Sequence, residues 1–187
     1  MPNKSKATGF EIPREGRCHP PKPSKKYTLS NRAVTVSVDE RGRLIELSNH
    51  QTGTNLIAFR EAAEGWRLVI PSGPHTIDFI CASAQRCPRI TMAEDGMTRR
   101  LTLEYSTLQV GRCRQNIHAR FSFELFADQP VIRTWVEIDN QSPCRIDEVE
   151  FPVIGGLGGF KASGRQKVGR LLEISRFSVH AVLHGDV

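Results

Sequence analysis

His118, Arg120, Arg133, Trp135 and Glu137 stand two residues apart within two alternating runs, and they are the side chains best suited to hold a ligand. In an extended strand, residues two apart share a face. One surface would then offer an indole ring, two guanidiniums, an imidazole and a carboxylate. That mixture suits a sugar, whose apolar ring face stacks on an aromatic ring while its hydroxyls meet polar tips. Trp66, just before Arg67 at the start of another expected strand, joins them as a candidate carbohydrate contact.

Catalytic readings fare worse. Glycoside hydrolysis needs two carboxyl groups facing one bond, and Glu137, Glu148 and Glu150 are the available trio. Glu137 is expected opposite an arginine, which would hold it ionised and favour a structural role. Glu148 and Glu150 read as a solvated strand face. No G-x-S-x-G elbow is present. The histidines (His19, His50, His75, His118, His180, His184) show no metal-ligand spacing; the last two would need a helix that Phe177-Ser178-Val179 disfavours. The five cysteines include no C-x-x-C pair, so free thiols in a reducing compartment are the default. Gly159 and Gly164 have the spacing of a phosphate loop, but Arg165-Gln166 replaces its Lys and Ser/Thr. The loop that holds Gly159 and Gly164 is therefore expected to be a flexible hinge or exit linker. Neither catalytic residue nor metal nor cofactor is expected.

The elements that must position these side chains are strands. Val34, Val36 and Val38 alternate with Thr35 and Ser37, and Leu44-Ile45-Glu46-Leu47 returns after Arg41-Gly42. Leu101, Leu103 and Tyr105 repeat the period of two, as do Ala119, Phe121, Phe123 and Leu125, and later Asp147, Val149, Phe151 and Val153. Only Asn55 to Ala63 hints at a short helical turn, and Val168 to Val187 would supply one or two last strands. One hairpin can be derived in register. If Ala127-Asp128-Gln129-Pro130 joins residues 117–126 to 131–139 symmetrically, Phe121 faces Val136, Phe123 faces Thr134 and Leu125 faces Ile132. On the other face Glu124 meets Arg133, Arg120 meets Glu137 and His118 meets Asp139, all of opposite sign. A slip of one residue would exchange core and solvent faces, so this register is strongly selected. The expected fold is an all-β antiparallel β-sandwich from residue 27 to 187.

The 187 residues suit one domain, and no apolar run approaches the roughly 20 residues that cross a bilayer. Met1 to Lys26 has no apolar signal region, which makes the cytoplasm the default location. That leader holds seven cationic and two acidic residues, a net +5 of the chain's +6, together with five prolines. It is expected to be mobile or extended, a solubilising leader with at most nonspecific attraction to anions. Nucleic acid and membrane are not expected partners.

Three stretches resemble a known family. Gly42 to Ile57 follows the pattern G-x-L-x-x-L-x-N-x-x-T-G-x-N-L-I, Trp66 to Ile70 resembles the next strand, and Asn140-Gln141-Ser142 with Ile146 to Pro152 follows N-x-S … I-x-E-V-x-F-P. Together they resemble galactose-mutarotase-like supersandwich domains, especially those preceding a TIM-barrel glycoside hydrolase of the α-galactosidase kind. The resemblance spans roughly Tyr27 to Gly159. It implies a noncatalytic module that packs on a catalytic barrel and frames its sugar pocket. The mutarotase His and Glu motifs are not matched, and the chain is short for a complete supersandwich, so an incomplete one is expected.

Overall fold

The computed structural model describes residues 25–158. The expected leader up to residue 24, the strands expected after Val168, the phosphate-loop spacing at Gly159–Gly164, and His180 with His184 lie outside the described residues. In chain order the strands are β1 (Lys26–Ser30), β2 (Val34–Asp39), β3 (Leu44–Asn49), β4 (Thr54–Asn55), β5 (Arg67–Gly73), β6 (Thr76–Cys81) and β7 (Arg89–Asp95). They continue as β8 (Thr98–Tyr105), β9 (Leu108–Val110), β10 (Cys113–Gln115), β11 (Ile117–Phe126), β12 (Ile132–Asn140) and β13 (Glu148–Glu150). All pairings between them are antiparallel. The sheets run β1-β2-β3-β4, β12-β11-β8-β7, β13-β5-β6 and β10-β9. No α-helix occurs among the described residues; the helical turn expected over Asn55 to Ala63 shrinks to a single 3-10 turn, Arg60–Ala62. The chain is an all-β sandwich.

Side-chain oxygens make the turns. Asn31 Oδ1 accepts from the N–H groups of Ala33 and Val34, and Asp39 Oδ1 from those of Arg41 and Arg43. Asn49 Oδ1 accepts from Gln51 and Thr52, and Asn140 Oδ1 from Ser142. Short acceptors of this kind satisfy backbone donors that a tight reversal leaves unpaired. Asn31 does more: its amide nitrogen donates to the carbonyls of Phe126 and Gln129, both at 2.7 Å, tying the β1–β2 turn to the end of β11.

One core joins the sheets. Leu29, Val36, Val38 and Leu44 meet Leu68 and Ile80, and these meet Leu101, Leu103, Phe121, Phe123 and Phe151. Its centre is aromatic. Phe121 stacks on Trp66 at 4.5 Å between ring centroids and meets Phe151 edge-on at 5.2 Å. Strand β2 departs from simple alternation: Thr35 and Ser37, expected on a solvent face, are buried. They stay satisfied, Ser37 by donating to Glu46 and Thr35 through contacts with Ser30 and His50. Burial without cost requires such partners. Glu46 itself stays below its ordinary range. Burial alone would raise it, but hydrogen bonds from Lys26, Ser37 and Ser48 outweigh that.

The segment Gly155 to Gly158 is tied to a distant stretch of backbone. Ala58 and Phe59 both donate to Gly156 O, at 2.9 and 3.0 Å, and Gly158 donates to Leu56 O at 2.9 Å. A Cβ at Gly155 would overlap the carbonyl oxygen of Ala62, and one at Gly156 that of Phe59. Here glycine permits close packing of two backbones, one of the uses its missing side chain allows.

Candidate functional site

The hairpin of β11 and β12 takes the expected register throughout, from Ile117 opposite Asn140 to Leu125 opposite Ile132. Its inner face carries Ala119, Phe121, Phe123 and Leu125, all buried. Its outer face becomes part of a wider surface, because β8 and β7 extend the ladder. Three rows cross the four strands. One runs Glu137, Arg120, Glu104, Arg89; the next Trp135, Ser122, Thr102, Thr91; the third Arg133, Glu124, Arg100, Ala93. Two charged rows thus flank a neutral row of one indole and three hydroxyls. Sequence reasoning found the β11 and β12 members but missed Glu104, Arg100 and Thr102. The alternation in Thr98–Tyr105 was legible; that β8 lies beside β11 was not.

The charges on this face are matched in detail. Arg120 donates to Glu137 at 2.6 Å and lies 3.5 Å from Glu104. His118 is level with Asp139, as expected, but its Nε2 turns to Glu104 Oε1 at 3.1 Å on the other neighbouring strand. The His118 hydrogen bond holds the Glu104 carboxyl below its ordinary 4.5, with smaller help from Arg120 against a lesser desolvation effect. A group whose folded pKa is depressed stabilises the fold above its unfolded value and loses that contribution as pH falls through the folded one. Glu104→Gln is therefore expected to flatten the fall in Tm with acid below pH 4.5 and to leave the neutral plateau's slope unchanged, which thermal melts across the acid range would read.

Glu124 is the most shielded carboxylate of the face, its side chain 7% exposed. Arg100 donates to its Oε2 at 2.8 Å, and Arg133 approaches its Oε1 at 3.5 Å. Each guanidinium also lies over a ring, Arg100 over Trp135 and Arg133 over Phe126, both 4.8 Å from the centroid. Such contacts add about 0.5–1 kcal/mol at exposed sites. Trp135 is half-buried, and its indole N–H donates to Glu137 at 3.3 Å.

Trp66 does not belong to this face. It is fully buried between Phe121 and Tyr105, the latter edge-on at 5.1 Å, and no solvent-borne ligand can stack on it. A large apolar ring at the entry of a central strand gains more from the core than from water, which its sequence position alone did not reveal. The carboxylate trio is also dispersed: Glu137 is paired with Arg120, Glu150 lies 3.6 Å from Arg67, and Glu148 is exposed. Among the described residues no group of three His, Cys, Asp or Glu is placed to hold a metal ion, and no helix is long and apolar enough to cross a membrane. Cys81, Cys87, Cys113 and Cys144 are free. Burial pushes the Cys81 and Cys144 thiols up, which makes both poor nucleophiles.

The face itself is a platform. A cleft of about 430 Å³ lies elsewhere, at the end of the sandwich, between Ser30-Asn31-Arg32 and Leu125-Phe126-Ala127 with Arg99 beside it. Arg99 is already engaged there by Glu94 and by the carbonyl of Ser30, and the side chain of Asn31 is spent on the turns. Comparison of the chain with family models, curated proteins and solved structures finds no match.

Proposed function

We propose that this chain is a noncatalytic β-sandwich module of a carbohydrate-active, glycoside hydrolase-like protein, and that the outer face of β7, β8, β11 and β12 meets sugar. The observation that carries the reading is the half-buried Trp135 in one neutral row with the Thr102 and Thr91 hydroxyls, between two charged rows; Ser122, between them, is buried and bonded to Thr102. A pyranose has an apolar ring face and a rim of hydroxyls, and an indole with threonine hydroxyls and guanidiniums around it complements both. The absence of catalysis fits the carboxylates. A glycosidic acid needs a raised pKa, whereas arginines neutralise Glu124 and Glu137, and Glu104 is held low. The resemblance of residues 42–57 and 140–152 adds the expected partner, a catalytic barrel in a longer or adjacent chain.

Trp135→Ala in the full chain is expected to weaken glycan binding about tenfold or more, the order lost when a central aromatic anchor is truncated. An unchanged glycan-array profile in that variant would overturn the reading.

Charge distribution favours a second reading. Residues 25–158 hold 16 cationic and 16 acidic residues, so the net +6 lies entirely in the two flanks. A free-standing binding or scaffold protein would use the basic leader on an anionic partner, with affinity falling steeply with salt. Removing residues 1–24, which leaves β1 whole, separates the two: the scaffold reading loses its binding and salt dependence, the sugar reading keeps its array profile.

A further inference from the structure

We infer that Arg100 and Arg133 form an anion clamp beside Trp135, and that the sugar this face takes carries a carboxylate or sulfate group. The inference rests on the carbohydrate reading and names its ligand class. It starts from what each polar group of the face still has to offer. The carboxylates are spent. Glu124 is shielded and shared between two guanidiniums, Glu104 accepts from His118 beside Arg120, and Glu137 accepts from Arg120 and from the Trp135 indole. The guanidiniums are not spent. Each has five N–H donors, yet Arg133 meets Glu124 through a single nitrogen and remains 63% exposed, and Arg100 uses Nε and one terminal nitrogen and remains 50% exposed. Donors therefore exceed acceptors around Trp135.

Charge gives the same answer. Two guanidiniums converge on one carboxylate, which leaves a net positive charge at that spot. They are also held in place before any ligand arrives, from below by Glu124 and by the rings of Trp135 and Phe126. Holding a cation in its binding geometry lowers the ordering cost of association, and guanidinium forks match the geometry of oxyanions. A neutral sugar needs acceptors for its hydroxyl hydrogens, and beyond the threonine hydroxyls of the neutral row this face has few to spare. An acidic sugar brings the acceptors itself.

The test titrates the full chain with an oligogalacturonate, its fully methyl-esterified form, a sulfated oligosaccharide and a single-stranded oligonucleotide. Acid and ester differ only in charge. The acid is expected to bind about tenfold more tightly than the ester, with the gap closing between about 50 and 500 mM salt. Arg133→Gln should bring the ratio to about threefold or less by weakening the acid more than the ester, since one of the clamp's two charges is gone. Trp135→Ala should weaken both. Tighter binding of the sulfated chain would assign sulfate as the source of the anion and still support the clamp. Equal affinity for acid and ester, with both lost in Trp135→Ala, would overturn the clamp and spare the carbohydrate reading. No binding of any saccharide would overturn both. Tightest binding of the oligonucleotide would overturn the sugar and assign the arginines to phosphate.

Discussion

Gly156→Ala is expected to lower the stability of the fold by about 3 kcal/mol or more, against about 1–2 kcal/mol for Gly53→Ala. Both glycines have positive φ, +69° and +63°. An L-residue pays a similar conformational cost at either. The difference is what surrounds them. Nothing lies within 4 Å of a Cβ at Gly53, whereas at Gly156 the new atom would overlap the Phe59 carbonyl oxygen. Backbone cannot yield as a flexible side chain can. The chain would have to break the pairing in which Ala58 and Phe59 donate to Gly156 O and Ile57 bridges Leu157. Gly155→Ala, whose Cβ would overlap Ala62 O, should cost a comparable amount by sterics alone. Urea unfolding of the three variants supplies the comparison. Equal midpoints for Gly156→Ala and Gly53→Ala would mean that the backbone contact at residues 155–158 adds nothing to stability.

That seam marks a boundary of what the sequence discloses. A run of glycines reads as freedom because glycine allows it locally; whether another backbone lies against it depends on where distant residues return. The β11–β12 register, by contrast, is local. Its turn is four residues long, its apolar and charged positions alternate without interruption, and the alternatives put phenylalanine in water. The same locality explains the motifs behind the family resemblance. In the first, Asn49 and Asn55 accept from nearby backbone N–H groups, and Gly53 supplies a positive φ. In N-x-S, Asn140 accepts from Ser142, Asn140 donates to the Cys144 carbonyl, and Ser142 accepts from the Cys144 N–H. These residues do the work of turns that an antiparallel fold needs whatever it binds. They therefore speak for architecture, and a sugar would be recognised by the outer face, where His118 shows what local pattern leaves open. Its strand and its facing were legible, but the partner it chose, Glu104, lies on a strand 14 residues earlier that no local pattern placed beside it.

Trp66→Ala is expected to cost about 3–5 kcal/mol, as truncation of a fully buried aromatic generally does. Trp66 stacks on Phe121 and abuts Tyr105, so its removal strips one side from the ring cluster that also includes Phe151. Against the roughly 5–15 kcal/mol by which a domain is stable, that leaves a fold near its limit. Trp66→Phe should cost far less, about 1–2 kcal/mol. It keeps a ring against Phe121, and it removes an indole N–H that is buried without a hydrogen-bond partner. That gain offsets part of the lost volume. The variant has a second use, because the chain contains two tryptophans. With Trp66 replaced, all indole emission comes from Trp135 on the outer face. Saccharide binding should then quench or shift it, with the affinity of the unmodified chain. Urea midpoints and fluorescence titrations of both variants separate core from surface. If Trp66→Ala kept full stability but lost saccharide binding, Trp66 would be a surface contact after all, and the aromatic centre on which the two layers pack would be wrong.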